Sequence, residues 1–101
     1  GDAAMAAAGS AKLLVVRVSY CPHGEPVPKA LGHGRFRVGE RTTFADLRAT
    51  AAAFFSVSPD RCVLVEEHNA QWPLTHTVWN ELKGRSGAVI RVVHIDKALI
   101  P

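Results

Sequence analysis

Two hydrophobic rhythms run along the chain. Lys12 to Tyr20 (KLLVVRVSY) is rich in β-branched residues, and its even positions, Leu14, Val16, Val18 and Tyr20, make one wholly apolar face, whereas Leu13, Val15, Arg17 and Ser19 make a mixed one. That period of two predicts a strand. Cys21 to Gly34, with three prolines and three glycines, predicts a loop. Arg35 to Val38 alternates again, with Phe36 and Val38 on one side and Arg35 and Arg37 on the other. The rhythm then changes to that of a helix: Phe44, Leu47, Ala51, Phe54 and Phe55 share one face. Thr43 is placed to cap it, with Asp46 three residues on. Pro59, in Ser56–Arg61, stops it. Cys62 to Glu66 predicts another strand, and Trp72-Pro73-Leu74 a short extended piece that the proline confines to an edge. Thr77 to Leu82 predicts a helical turn with Trp79 and Leu82 inward, and Ala88 to Ile95 a long β-branched final strand.

One amphipathic helix between strands must bury its stripe on a single sheet face, which makes the fold class α+β with two layers. The first and last long strands are both apolar enough for the sheet centre. A β-grasp satisfies this: a mixed four- to five-stranded sheet, those two strands parallel and adjacent, and one main helix packed on one face. A ferredoxin-like fold needs a second full helix, which the pattern does not supply. Residues 12–97 carry the domain. Residues 1–11 (GDAAMAAAGSA) lack periodicity and are expected as a disordered arm or tag remnant, and 98–101 as a tail.

At 101 residues, 48% hydrophobic and 21% charged, the chain has the composition of one folded domain and not of a disordered segment. No apolar run approaches the roughly 20 residues of a membrane-spanning helix, and the start lacks the basic and apolar regions of a signal peptide. The expected location is therefore cytoplasmic, with the two cysteines, Cys21 and Cys62, as reduced thiols.

Chemistry is sparse. Cys21 and His23 share a proline- and glycine-rich loop, which offers no rigid shell for a nucleophile and base. Gly32-His33-Gly34 lacks the helix that a phosphate loop requires. We therefore expect no catalytic residues. The histidines and cysteines lack the paired spacing of a zinc site, so no metal or cofactor is expected. A net charge of +3 without aromatic–basic interleaving argues against nucleic acid. Trp72 is either a binding anchor or a lid on the core. The pleat gives the most informative cluster. If Leu14, Val16, Val18, Phe36, Val38, Ile90 and Val92 face the helix, then Leu13, Val15, Arg17, Arg35, Arg37, Val89, Arg91 and Val93 share the opposite face. That is a small aliphatic patch rimmed by arginines, the composition of an interaction site. The competing reading is a solvated face with arginine stems lying over valines.

The chain resembles the ubiquitin-like superfamily over about residues 12–97. The run TTFADLRATAAAFFSVSPDRCVLV and the segment LKGRSGAVIRVVHIDK are similar to the helix and final strand of the ubiquitin-fold modifier family. VEEHNAQWPL looks like the Glu-Glu-x-x-x-Trp turn in the N-terminal ubiquitin-like domains of protist cytoskeletal scaffolds. The first resemblance implies a protein conjugated to others through a C-terminal glycine, but no glycine follows Gly87 here. The second implies an interaction module of a larger scaffold, cytoplasmic and cytoskeletal. The resulting expectation is a non-catalytic protein–protein interaction module, monomeric or weakly self-associating. It would take an acidic or acidic–aliphatic partner surface on Val15, Arg17, Arg35, Arg37, Val89, Arg91 and Val93, with Trp72 as a second anchor. A modifier and a weak RNA-binding module are the alternatives.

Overall fold

The alternation of the first strand decides which way the sheet faces: Leu14, Val16 and Val18 are fully buried, while Leu13 before them and Arg17 among them are exposed. The computed structural model describes residues 3–4, 13–22, 32–66, 70–83 and 89–94. Along the chain these form β1 (Ala3–Ala4), β2 (Leu13–Pro22), β3 (His33–Gly39), α1 (Phe44–Phe54), a 3-10 turn (Pro59–Arg61), β4 (Cys62–Val65), α2 (Val78–Leu82) and β5 (Val89–His94). The sheet order is β1-β3-β2-β5-β4. The two long apolar strands lie together at its centre and run parallel, from Arg17 beside Val89 to Pro22 beside His94. β3 pairs antiparallel with β2, and β4 antiparallel with β5. This is the mixed sheet with one main helix of a β-grasp.

The strands differ from the sequence expectation at their ends. β2 runs through Cys21 to Pro22, inside the stretch expected as a loop. Its pairing with β3 stops at Ser19–His33, so the last residues pair with β5 alone. β3 begins two residues early, at His33. Gly34 pairs with Val18 within that strand, and the Phe54 ring over it leaves room for no side chain: a Cβ there would sit 2.8 Å from Phe54 Cε2. Ala3 and Ala4, in the stretch expected as a disordered arm, pair in parallel with Phe36 and Arg37, along an edge that has no other strand partner among the described residues.

Helix α1 starts at a capping box. Thr43 Oγ1 accepts from the Asp46 N–H at 3.2 Å, and Asp46 Oδ2 accepts from the Thr43 N–H at 3.1 Å. The Phe44 and Ala45 N–H groups donate to the carbonyls of His76 and Leu74, both at 3.0 Å, so the 70–77 segment supplies acceptors that the first helical turn cannot find within itself. Trp72-Pro73-Leu74 is thus no strand of its own. Gln71 makes a single bridge to Val65, and the Trp72 N–H donates to the Leu64 carbonyl at 2.9 Å. At the other end the Val57 and Ser56 N–H groups fold back on Ala52 and Ala53, and Ser56 adopts φ 59°. That Schellman turn ends the helix before Pro59 is reached.

Phe44, Leu47 and Ala51 are fully buried as the helical stripe requires, and Ala52 joins them. Phe54 departs from it. The ring lies at the sheet rim, edge-on to Phe36 at 5.3 Å and 45% exposed, because the helix ends there. Phe55 stacks on Tyr20 at 5.0 Å. In α2 the inward residues are Val78 and Leu82, one turn apart, and Trp79 is half-buried instead of inward.

Cys21 and Cys62 are free and buried. They sit on β2 and β4, with β5 between those strands. Burial raises both thiol pKa values, offset in part by Arg91 near Cys21 and Arg48 near Cys62. The Cys62 thiol donates to the Ser58 carbonyl at 3.3 Å.

Three outcomes test this packing. Leu47→Ala should cost roughly 2–5 kcal/mol by urea denaturation, because it leaves a cavity between helix and sheet. Phe54→Ala should cost about 1–2 kcal/mol, since half of its ring is already in water. Ser56→Gly should stabilise the domain by up to about 1 kcal/mol, because it removes a side chain from a left-handed position. The thiols set a pH dependence. The unfolded chain releases its thiol protons first, so it binds fewer protons than the folded one and stability falls as pH rises above about 8.5. The melting temperature should therefore decline between neutral pH and about pH 10, and Cys21→Ala/Cys62→Ala should flatten that decline. An equally steep decline in the double variant would refute the assignment.

Candidate protein-interaction face

The pleat that buries Leu14, Val16, Val18, Phe36 and Val38 under α1 sends the intervening residues of β2 and β3 to the other side of the sheet. Three register pairs build the exposed part of this face: Leu13 opposite Gly39, Val15 opposite Arg37, and Arg17 opposite Arg35. Leu13 is 49% exposed, Val15 is half-buried, and Arg17, Arg35 and Arg37 are exposed. Two guanidinium side chains on directly opposed positions repel each other, which works against pairing. The face therefore carries a concentrated positive charge beside a partly exposed aliphatic strip. Leu13 belongs in that strip more than the sequence reading allowed. Its position at the start of β2, opposite a glycine, leaves it without a cross-strand side chain to cover it.

The far half of the same face is different. Arg91, expected on the rim with the other arginines, is half-buried, and its Nη2 donates to the Glu66 carbonyl at 3.0 Å. It lies beside Val65, which is buried, and near Cys21, 2% exposed. The reason is topological: β5 is flanked by β2 and β4, so Arg91 has a neighbouring strand to fold across, whereas Arg35 and Arg37 stand next to the short β1. The expectations for Val89 and Val93 concern side chains outside the described residues; their backbones pair with Arg17 and Cys21.

Trp72 is separate from this face. Its ring stacks on Phe44 at 4.9 Å and 5°, which covers the start of α1, and its indole N–H has no acceptor among the described residues. One ring face is thus taken up by packing. Arg48, on α1, is half-buried with its Nε lacking a partner among the described residues. No group of three or more metal-ligating side chains occurs among the described residues, and no helix there is long and apolar enough to cross a membrane. His23 and His68 lie outside the described residues.

No protein-family model and no curated protein matches this sequence. Solved structures do match the fold. The ubiquitin of Caldiarchaeum subterraneum superposes with a TM-score of 0.65 at 14% identity, over 83% of this chain and 95% of that one. The N-terminal ubiquitin-like domain of the 4931431F19Rik protein gives 0.63 at 14% identity, over 91% and 84%. The C-terminal ubiquitin-like domain of mouse tubulin-specific chaperone e gives 0.60 at 9% identity, over 90% and 96%. Identities this low speak for architecture alone, and the architecture agrees with the strand order and central parallel pair described above: this chain has the fold of the ubiquitin-like superfamily.

Proposed function

We propose that this ubiquitin-like module is a non-catalytic protein–protein interaction domain that takes an acidic–aliphatic partner surface on the open half of its sheet. The observation that carries the reading is the register opposition of exposed Arg17 and Arg35 beside the half-exposed Leu13. An isolated domain gains nothing from two opposed cations. A partner carboxylate lying between them turns that repulsion into charge-assisted hydrogen bonds. Leu13 and Val15 supply the apolar centre, and Arg37 extends the charge along β3. Arg91, tied to Glu66, is not part of this contact. The reading gains support from the two similar structures that are terminal ubiquitin-like domains of larger proteins. The expected setting is likewise a larger cytoplasmic assembly.

Arg17→Glu separates binding from folding. It places a carboxylate opposite Arg35, so the domain should gain about 0.2–1 kcal/mol by denaturation. Binding should fall instead, because the variant repels the acidic partner. In affinity capture from cell extract, proteins held by the wild type at low salt should be lost from Arg17→Glu and from Leu13→Asp, and released as salt rises. Partners held equally by all three chains would show that this face is only solvated surface.

A further inference from the structure

The open face carries more hydrogen-bond donors than its arginines. One same-face step along the hairpin from Arg17 and Arg35, the register places Ser19 opposite His33. The alternation that buries Val18 and Gly34 sends Ser19 and His33 to the side of the arginines. Both are half-buried, whereas Arg17 and Arg35 are exposed. None of these four side chains has a hydrogen-bond or ion-pair partner among the described residues. Opposed residues stand about 5 Å apart, and same-face neighbours on one strand about 7 Å apart, so two guanidinium groups, a hydroxyl and an imidazole share one patch. Each can donate a hydrogen bond, the imidazole in either tautomer. No acidic side chain of β2 or β3 lies on this face. From the same patch the aliphatic strip continues along β2: Val15 and Leu13 lie about 7 and 13 Å from Arg17.

We propose that Arg17, Arg35, Ser19 and His33 form a binding site for a phosphomonoester, carried by a phosphorylated residue of a partner segment whose apolar residues stand two and four positions to one side of it. The proposal rests on the open-face reading above and names the anion. Charge balance selects it. A carboxylate brings one negative charge and two oxygens to two guanidinium forks. A phosphomonoester brings about two charges near neutral pH and three acceptor oxygens. It therefore balances both arginines and keeps an acceptor for the Ser19 hydroxyl and the His33 N–H. A segment lying extended over the sheet turns every second side chain toward it. With its phosphate at the arginines, its apolar side chains come to rest on Val15 and Leu13. That flat, linear spacing fits a chain and not a phospholipid, whose apolar part leads away from the phosphate into the bilayer.

The test uses the full chain and two synthetic peptides, each with one phosphoserine in a glycine–serine background. Leucines stand two and four residues before the phosphoserine in one peptide and after it in the other. Fluorescence anisotropy reads affinity and amide NMR reads place. One of the two should bind saturably and move the amides of Arg17, Ser19, His33 and Arg35 together with those of Leu13 and Val15. Its unphosphorylated form should bind at least about tenfold more weakly, and its glutamate form at least about fivefold. Arg35→Ala should cost about tenfold in phosphopeptide affinity, with a melting temperature no lower than that of the wild type, because it relieves the repulsion from Arg17. His33→Ala should weaken the phosphopeptide about threefold and leave the glutamate peptide unchanged. The proposal is overturned by absence of saturable binding of both phosphopeptides, or by unchanged affinity in Arg35→Ala. Binding to vesicles of phosphatidylcholine and a phosphoinositide, with neither phosphopeptide bound, would overturn it in favour of a lipid surface. A glutamate peptide that binds as tightly as the phosphopeptide and moves Leu13, Val15 and Arg17 would overturn it while supporting the open-face reading, so the two proposals fail separately.

Discussion

Everything in this domain depends on one packing event, the seating of the α1 stripe across the central β2–β5 pair. Leu14, Val16 and Val18 from one strand, Ile90 and Val92 from the other, and Phe44, Leu47 and Ala51 from the helix all lose their whole surface to one another. Each of the larger side chains contributes about 1.5–3 kcal/mol on burial. Parallel strands cannot be joined by a tight hairpin, so the connection from β2 to β5 carries β3, α1, β4 and α2. The helix is thereby placed where its stripe has a sheet to meet.

The seat of the helix is fixed at both ends by hydrogen bonds that its own turns cannot make. At the start, the capping box and the carbonyls of Leu74 and His76 take up first-turn N–H groups, and Trp72 stacks on Phe44. The 70–77 segment is thereby held against the helix and β4 together, through Trp72 N–H to Leu64. At the finish, Ser56 in a left-handed conformation turns the chain toward β4. The aromatic residues gathered there, Tyr20, Phe36, Phe54 and Phe55, pack by stacked and edge-on contacts. Phe54 pays for its place at the rim with exposure.

The charged face is a consequence of the same constraint. Once the even positions of β2 are buried, the pleat leaves no other side for Arg17, and the antiparallel register brings it opposite Arg35. Whether an arginine on that side stays exposed is then a matter of its neighbours. Arg91 has β4 and the Glu66 carbonyl within reach and folds onto them. Arg17 and Arg35 have each other.

Alternation at Leu14, Val16 and Val18, the stripe from Phe44 to Ala51 and the Thr43–Asp46 cap are local patterns, set by side-chain period and backbone hydrogen bonding, so the sequence by itself determined the four strands β2 to β5, the main helix, the core face and the α+β class. It also determined that Val15, Arg17, Arg35 and Arg37 would share a face, because parity along a strand needs no knowledge of partners. It did not determine the ends of β2 and β3, which depend on where pairing between strands distant in sequence stops, nor the fit of Gly34 beneath Phe54. The half-exposure of Phe54, the turning of Arg91 to Glu66, the use of the 70–77 segment as a helix acceptor and the pairing of Ala3–Ala4 with β3 were decided by tertiary structure alone. Each depends on which groups from remote parts of the chain arrive within hydrogen-bonding or van der Waals distance, and no periodicity records that.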